Sequence, residues 1–214
     1  PVETYQKALI DSGIATPDLI DIHRKIAQER IDRATLFASQ ATDPDPATIY
    51  EGLFAETTSD DIDPKWATPR EALLAEYKPQ RRDSTGSILA RHAVIEALIE
   101  EMLRDRRVVL YGEDVADYGG AFQATRGIFE IFGRQRCFNA PISEAAIIGT
   151  AAGAAMAGMR PVCELMYIDF ILMTMDQTGN QAAKCRYMFG GKAKLPMVIR
   201  TTIGGGKGYA GQHS

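Results

Sequence analysis

"FNAPISEAAIIGTAAGAAMAGMRPVCELMYIDF", residues 138–170, decides the fold. A short apolar run leads through Pro141 to a single acid, Glu144, and no second charge appears before Arg160. The small residues between them predict a buried helix over 144–158, and "RPVCELMY" then reads as a buried strand. A strand, a helix and a second strand with short joints predict parallel neighbours linked by a helical crossover.

Working outward, the same alternation continues on both sides. Residues 91–105 have helical spacing, and "RVVLYG" is a short apolar strand. "GGAFQATRGIFEIFG" is a loop entering a helix, "RCFNA" a strand, 171–189 one long helix and "LPMVIRTTI" a last strand. The expected fold class is therefore α/β, a mainly parallel sheet with helices on both faces. Ligands of such sheets lie beyond the carboxyl ends of the strands, which is where Glu113, Asp114, Glu144, Asp169 and the glycines after Ile203 fall.

The first part of the chain differs. Residues 1–83 hold 10 basic and 16 acidic residues against 14 and 12 in the remainder, so the acidic balance belongs to this part. "VETYQKALIDSGI" predicts a helix closed by Gly13 as a left-handed cap. A second helix starts from Thr16 as N-cap and Pro17, with Leu19, Ile22, Ile26, Ile31 and Phe37 roughly on one face. "DPDPATIYEGLF" is a proline-broken turn into a short helix. The Pro-, Ser- and Thr-containing stretch that follows reads as a linker with one helical turn near 69–77. The expected organisation is a helical tail over 1–58, a linker over 59–86 and an α/β domain over 87–214.

Composition restricts the function classes. The net charge of −4, with 24% charged and 45% hydrophobic residues, does not suit a chain-wide nucleic-acid surface. No stretch has the length and apolarity of a membrane span, and no secretory signal opens the chain. The expectation is a cytoplasmic or mitochondrial-matrix protein that is not secreted. Cys137, Cys163 and Cys185 lack metal-ligand spacing and read as buried reduced thiols. The absence of an initiator methionine and the glycine-rich end predict a piece of a longer protein.

Two residues stand out chemically. Glu144 is well placed for the dipole of its helix, which needs no function, yet its Ala, Gly and Ile neighbours leave the carboxylate few partners unless a ligand supplies one. His213 follows a glycine-rich loop at a strand's carboxyl end, where an imidazole exchanges protons near neutral pH. "GGGKG" is not a phosphate loop, because Gly208 stands where Ser or Thr would bind magnesium. Asp176, Asn180 and Lys184 share a helical stripe that suits a solvated face or a subunit contact as well as catalysis. The acids of "YGEDVADYGGAF" suit a bound cation, although turn-forming acids are the commoner case.

The ordered set "LYGEDVADYGGAF", "TRGIFEIFG", "APISEAAIIGTAAGAAMAGMRPVCELMYIDF", "MDQTGNQAAKCRYMFGGK", "PMVIR" and "AGQHS" resembles the β subunit of the thiamine diphosphate-dependent first component of 2-oxo acid dehydrogenase complexes. The opening segment, through "ATDPDPATIYEGLF", resembles the end of the α subunit. The resemblance implies a fused α–β chain whose α/β domain binds the aminopyrimidine ring of thiamine diphosphate. It implies that Glu144 hydrogen-bonds the ring nitrogen and favours the imino tautomer that activates the thiazolium carbon. Ile142, Met166 and Phe170 would line the ring pocket, and His213 would act near the reacting carbon and in transfer to the lipoyl group.

Met197 corresponds to a position whose carbonyl helps bind potassium in some members. Magnesium and the diphosphate belong to a Gly-Asp-Gly and Asn motif of the α part, which this sequence lacks. The implied partners are the α-type half, a second protomer (a dimer of fused chains or an α2β2-like assembly) and a lipoyl domain, with no nucleic acid and no membrane. The expected reaction is decarboxylation of a 2-oxo acid, pyruvate, with reductive acylation of the lipoyl group. The alternatives are an acetoin dehydrogenase component and a non-catalytic assembly module. By itself the 214-residue piece is expected to bind cofactor poorly and to turn nothing over.

Overall fold

The structure is a computed structural model that describes residues 1–55, 62–69, 72, 77, 79–204, 208 and 211–213. It divides into two compact units, Pro1–Tyr50 and Glu51–Ser214.

In the first unit, local sequence signals set the helix ends. Helix α1 spans Val2–Asp11 and α2 spans Pro17–Gln40. Gly13 takes a φ of +71°, the Ile14 N–H reaches Leu9 O and the Gly13 N–H reaches Ile10 O, which closes α1 in a Schellman turn. Thr16 caps α2 by accepting from the Leu19 N–H at 3.2 Å. A single 3-10 turn, Pro46–Tyr50, follows. No residue of this unit is buried, and Phe37 is 79% exposed.

The second unit contains the sheet. Helix α3 (Ala90–Arg104) precedes β1 (Val108–Gly112), then α4 (Ile128–Phe132), β2 (Cys137–Asn139), α5 (Glu144–Met156), β3 (Arg160–Leu165), α6 (Ala183–Met188) and β4 (Val198–Thr201). The strands are parallel in the order β2-β1-β3-β4. Side chains alternate across the sheet. One face sends Val108, Leu110, Cys137 and Val162 against Ile95, Leu98, Ile99, Met102 and Leu103 of α3. The other sends Tyr111, Cys163 and Leu165 against Ile147, Ile148 and Ala151 of α5. Both faces are covered, as the alternation of elements requires.

From β1 the chain runs outward to β2, then crosses back over β1 to β3. The loops that leave β1 and β3 therefore diverge, and a crevice opens at the carboxyl ends of these neighbouring strands.

Two details depart from the sequence reading. The long helix expected over 171–189 is a 3-10 segment, Ile168–Thr174, then a π-helical segment, Asp176–Ala182, and only then α6. Thr174 bonds Ile171 O and Thr178 Oγ1, and Asn180 bonds Asp176 Oδ1, so side chains compete with the helical ladder around Gly179. Within the expected linker, residues 62–69 are tied to the sheet unit. Ala67 bridges Asp105, the Arg106 N–H donates to Trp66 O and the Thr68 N–H to Arg104 O. The apolar positions of α2 form no core of their own. The helical turn expected near 69–77 and the lysine of the glycine-rich loop lie largely outside the described residues.

Candidate active site

The crevice is built from the segments that leave β1 and β3 and from the start of α5. Glu113 directly follows β1, and its loop is pinned at several points. The Gly120 N–H reaches Asp114 O at 2.8 Å, Thr125 Oγ1 donates to Val115 O at 2.8 Å, and the Ala116 N–H donates to Asn139 Oδ1 at 2.8 Å. Asp114 takes a φ of +55°, a left-handed conformation that Asp tolerates better than most residues. Gly112 permits the strand exit itself, because a Cβ there would lie 2.6 Å from Glu164 O.

Glu144, the first residue of α5, is only 6% exposed. Ser143 occupies the N-cap position expected of it, but its hydroxyl donates to Pro141 O at 2.9 Å and makes no cap bond. Glu113 is 9% exposed, and its Oε1 is buried without a partner among the described residues. Burial, then the charge of Glu144, then that of Asp114 push the Glu113 carboxyl above the usual range, against the opposing pull of the Ser143 N–H. The two glutamates therefore form one electrostatic unit. The sequence reading named Glu144 and took Glu113 for a turn former. The signal for Glu113 was present in its position directly after the central strand.

An aromatic group rises from the β3 side. Tyr167 meets Phe122 edge to face at 5.4 Å and Phe170 at 6.1 Å. His213 stands against both, with ring centroids 5.0 Å from Tyr167 and 5.4 Å from Phe170, and its Nδ1 lies 3.1 Å from Gly211 O. The fold thus joins Phe170 and His213, which lie 43 positions apart in the sequence. Met166 is half-buried, and its carbonyl accepts from Thr202 Oγ1. The 3-10 segment that carries Phe170 packs on α5, the helix that Glu144 begins. Ile142, two residues before Glu144, is 83% exposed and stands at the rim. Met197 is half-buried against the α5 side of the core, with its N–H on Leu195 O.

Small residues on α5 let its neighbour approach. A Cβ at Gly149 would come within 3.3 Å of Gln177 Cγ, so the π-helical segment rests directly on this helix. Among the described residues, no group of three or more His, Cys, Asp or Glu side chains is arranged to hold a metal, and no helix is long and apolar enough to cross a membrane.

Known proteins resemble this domain closely. The chain is 44% identical over 127 residues to the bovine mitochondrial pyruvate dehydrogenase E1 component subunit beta, an overlap of 59% of this chain and 35% of that protein. It is 48% identical over 132 residues to the acetoin:2,6-dichlorophenolindophenol oxidoreductase subunit beta of Cupriavidus necator, and 46% over 134 residues to that of Bacillus subtilis; each overlap covers 57% of this chain and 39% of the relative. The chain therefore spans well under half the length of these curated relatives. Residues 87–214 match the family described as transketolase, pyrimidine binding domain, and with more than half of its length inside that match the chain belongs to this family.

Proposed function

We propose that this chain is the pyrimidine-binding part of a thiamine diphosphate-dependent enzyme component that decarboxylates a 2-oxo acid, pyruvate, and passes the acyl group to a lipoyl domain. The observation that carries the reading is the buried Glu113–Glu144 pair at the carboxyl end of the sheet, with one carboxylate oxygen left without a partner. A heteroaromatic ring with nitrogen donors would satisfy that oxygen, and the aromatic group at Tyr167 and Phe170 would flank such a ring.

Bound thiamine diphosphate supplies a thiazolium carbon acidic enough to become the nucleophile. The residues of this chain set the conditions. Glu144 would share a hydrogen bond with a ring nitrogen in surroundings where that bond is strong. Glu113, whose carboxyl is pushed above the usual range, would take up a proton more readily than an ordinary glutamate and so lessen the like charge facing Glu144. Tyr167 and Phe170 would exclude water, while His213, exposed on one side and braced on these rings, would move protons on the substrate side. Ile142 at the rim would pack on bound cofactor, and Met166 would support the wall below Phe170.

The magnesium–diphosphate motif is not in this sequence, so an α-type half would hold that end of the cofactor. A second protomer would complete the assembly, and the Met197 carbonyl would be one ligand of a potassium ion.

The test is Glu144→Gln in the full-length protein, with dye reduction measured on pyruvate, acetoin and branched 2-oxo acids. Loss of about 100-fold or more in the cofactor-dependent rate is expected. Full activity of the variant would remove the proposal and leave an assembly module. Acetoin oxidation is the second reading, favoured by the 48% identity to the Cupriavidus necator subunit, and the same substrate panel separates the two.

A further inference from the structure

The start of α3, Gln80 and the loop after β1 form an open surface pocket of about 250 Å³ lined by Gln80, Arg91, His92, Ile95, Gln123 and Arg126, with both arginines exposed. None of the residues around Glu144 lines it. Its charges are all of one sign. Arg91 Nε donates to His92 Nε2 at 3.4 Å, which steadies the guanidinium, and its two terminal nitrogens have no partner among the described residues. Arg126 forms no ion pair or side-chain hydrogen bond among the described residues.

The nearest acid along α3, Glu96, is already held by Arg82 Nη2 at 3.1 Å to both of its oxygens, so it does not neutralise the pocket. Gly119 explains why Arg126 stands where it does. A Cβ at this glycine, whose φ is +84°, would fall 2.8 Å from Arg126 Cα, so only glycine lets the two loop backbones approach. Gln123, at a φ of +56°, commits its amide N–H groups to Tyr118 O and Gly120 O and acts as a wall. Ile95 is buried and closes the floor.

We infer that this pocket is an anion site for a phosphate group, gripped by the free guanidinium forks of Arg91 and Arg126. Two forks without carboxylate partners match the oxygens of a tetrahedral dianion, and such bonds are the strong ones. The volume leaves room for a small organic group attached to the phosphate. The inference is independent of the thiamine reading, because it involves no residue of that site.

The experiment is calorimetric titration of the protein with inorganic phosphate and, separately, glycerol 3-phosphate, at constant ionic strength set with chloride. One-to-one binding is expected, weakened at least about tenfold in Arg91→Gln and again in Arg126→Gln, with Arg24→Gln on α2 unchanged. Arg126→Lys keeps the charge but not the fork and should fall between. Tighter binding of glycerol 3-phosphate would identify a phosphate ester as the ligand, and equal binding would identify the free anion. Failure of both probes to bind above chloride, or unchanged affinity in glutamine variants whose circular dichroism matches the parent, overturns the inference.

Discussion

Asp105 lies shortly before β1 and Glu113 directly after it, so one short strand separates two buried acids in opposite circumstances. At the amino end, Asp105 is 1% exposed and fully paired. Its oxygens accept from the Arg107 backbone N–H at 2.9 Å, from Arg107 Nε at 3.0 Å and from Arg107 Nη2 at 2.7 Å, and Arg160 stands 3.2 Å away. Burial works to raise the Asp105 pKa, but the bonds and charge of Arg107, with the charge of Arg160, outweigh it and hold the carboxyl below the usual range. At the carboxyl end, Glu113 has, among the described residues, no cation beside it and one oxygen with no partner. A saturated buried acid ties the structure together, whereas an unsaturated one leaves bonding capacity for a ligand.

The largest expected effect breaks the saturated end. Asp105→Asn leaves two guanidinium groups facing a neutral amide and should cost about 3 kcal/mol in urea unfolding followed by circular dichroism. A cost near zero would mean that Asp105 is no different from a surface acid. Asn139→Ala releases the loop after β1, because Asn139 Oδ1 holds the Ala116 N–H and Nδ2 reaches Asp117 at 3.2 Å. It should cost about 1 kcal/mol and loosen the Glu113 loop in hydrogen exchange.

The smallest effect has the opposite sign. Glu113 has a raised pKa in the fold, so its contribution is complete below the ordinary glutamate range and is lost as pH rises through the folded value. Glu113→Gln should therefore be more stable than the parent at pH 7, and the gain should vanish near pH 4. For Asp105 the sign reverses: its contribution is present above the ordinary aspartate range and fades in acid. Parallel pH curves for the parent and Glu113→Gln would contradict the contrast between the two ends.

These two acids also show what the sequence could reveal. Strand and helix order was legible because apolar runs of four to six residues alternate with helical spacing, and that pattern is set by burial. Glu144 was legible because it is a lone charge followed by fifteen uncharged residues, most of them small. What Glu113 and Asp105 are bonded to was not. An acid at a strand end looks the same in one dimension whether an arginine 55 positions later reaches it, as Arg160 reaches Asp105, or nothing does. The break within 171–189 escaped for a related reason, since the period of its apolar residues is helical while Thr174, Asn180 and Gly179 act on the backbone locally. His92 sits within a helical stretch of the sequence, and only the approach of the β1 loop gives it a pocket to line.

Gly112 has a consequence for how this gene tolerates change. With Glu164 O only 2.6 Å from where a Cβ would stand, even alanine forces two hydrogen-bonded strands apart at the point where the Glu113 loop departs. In a saturation library scored for folded protein, codon 112 should return glycine almost alone, while neighbouring loop codons accept several alternatives.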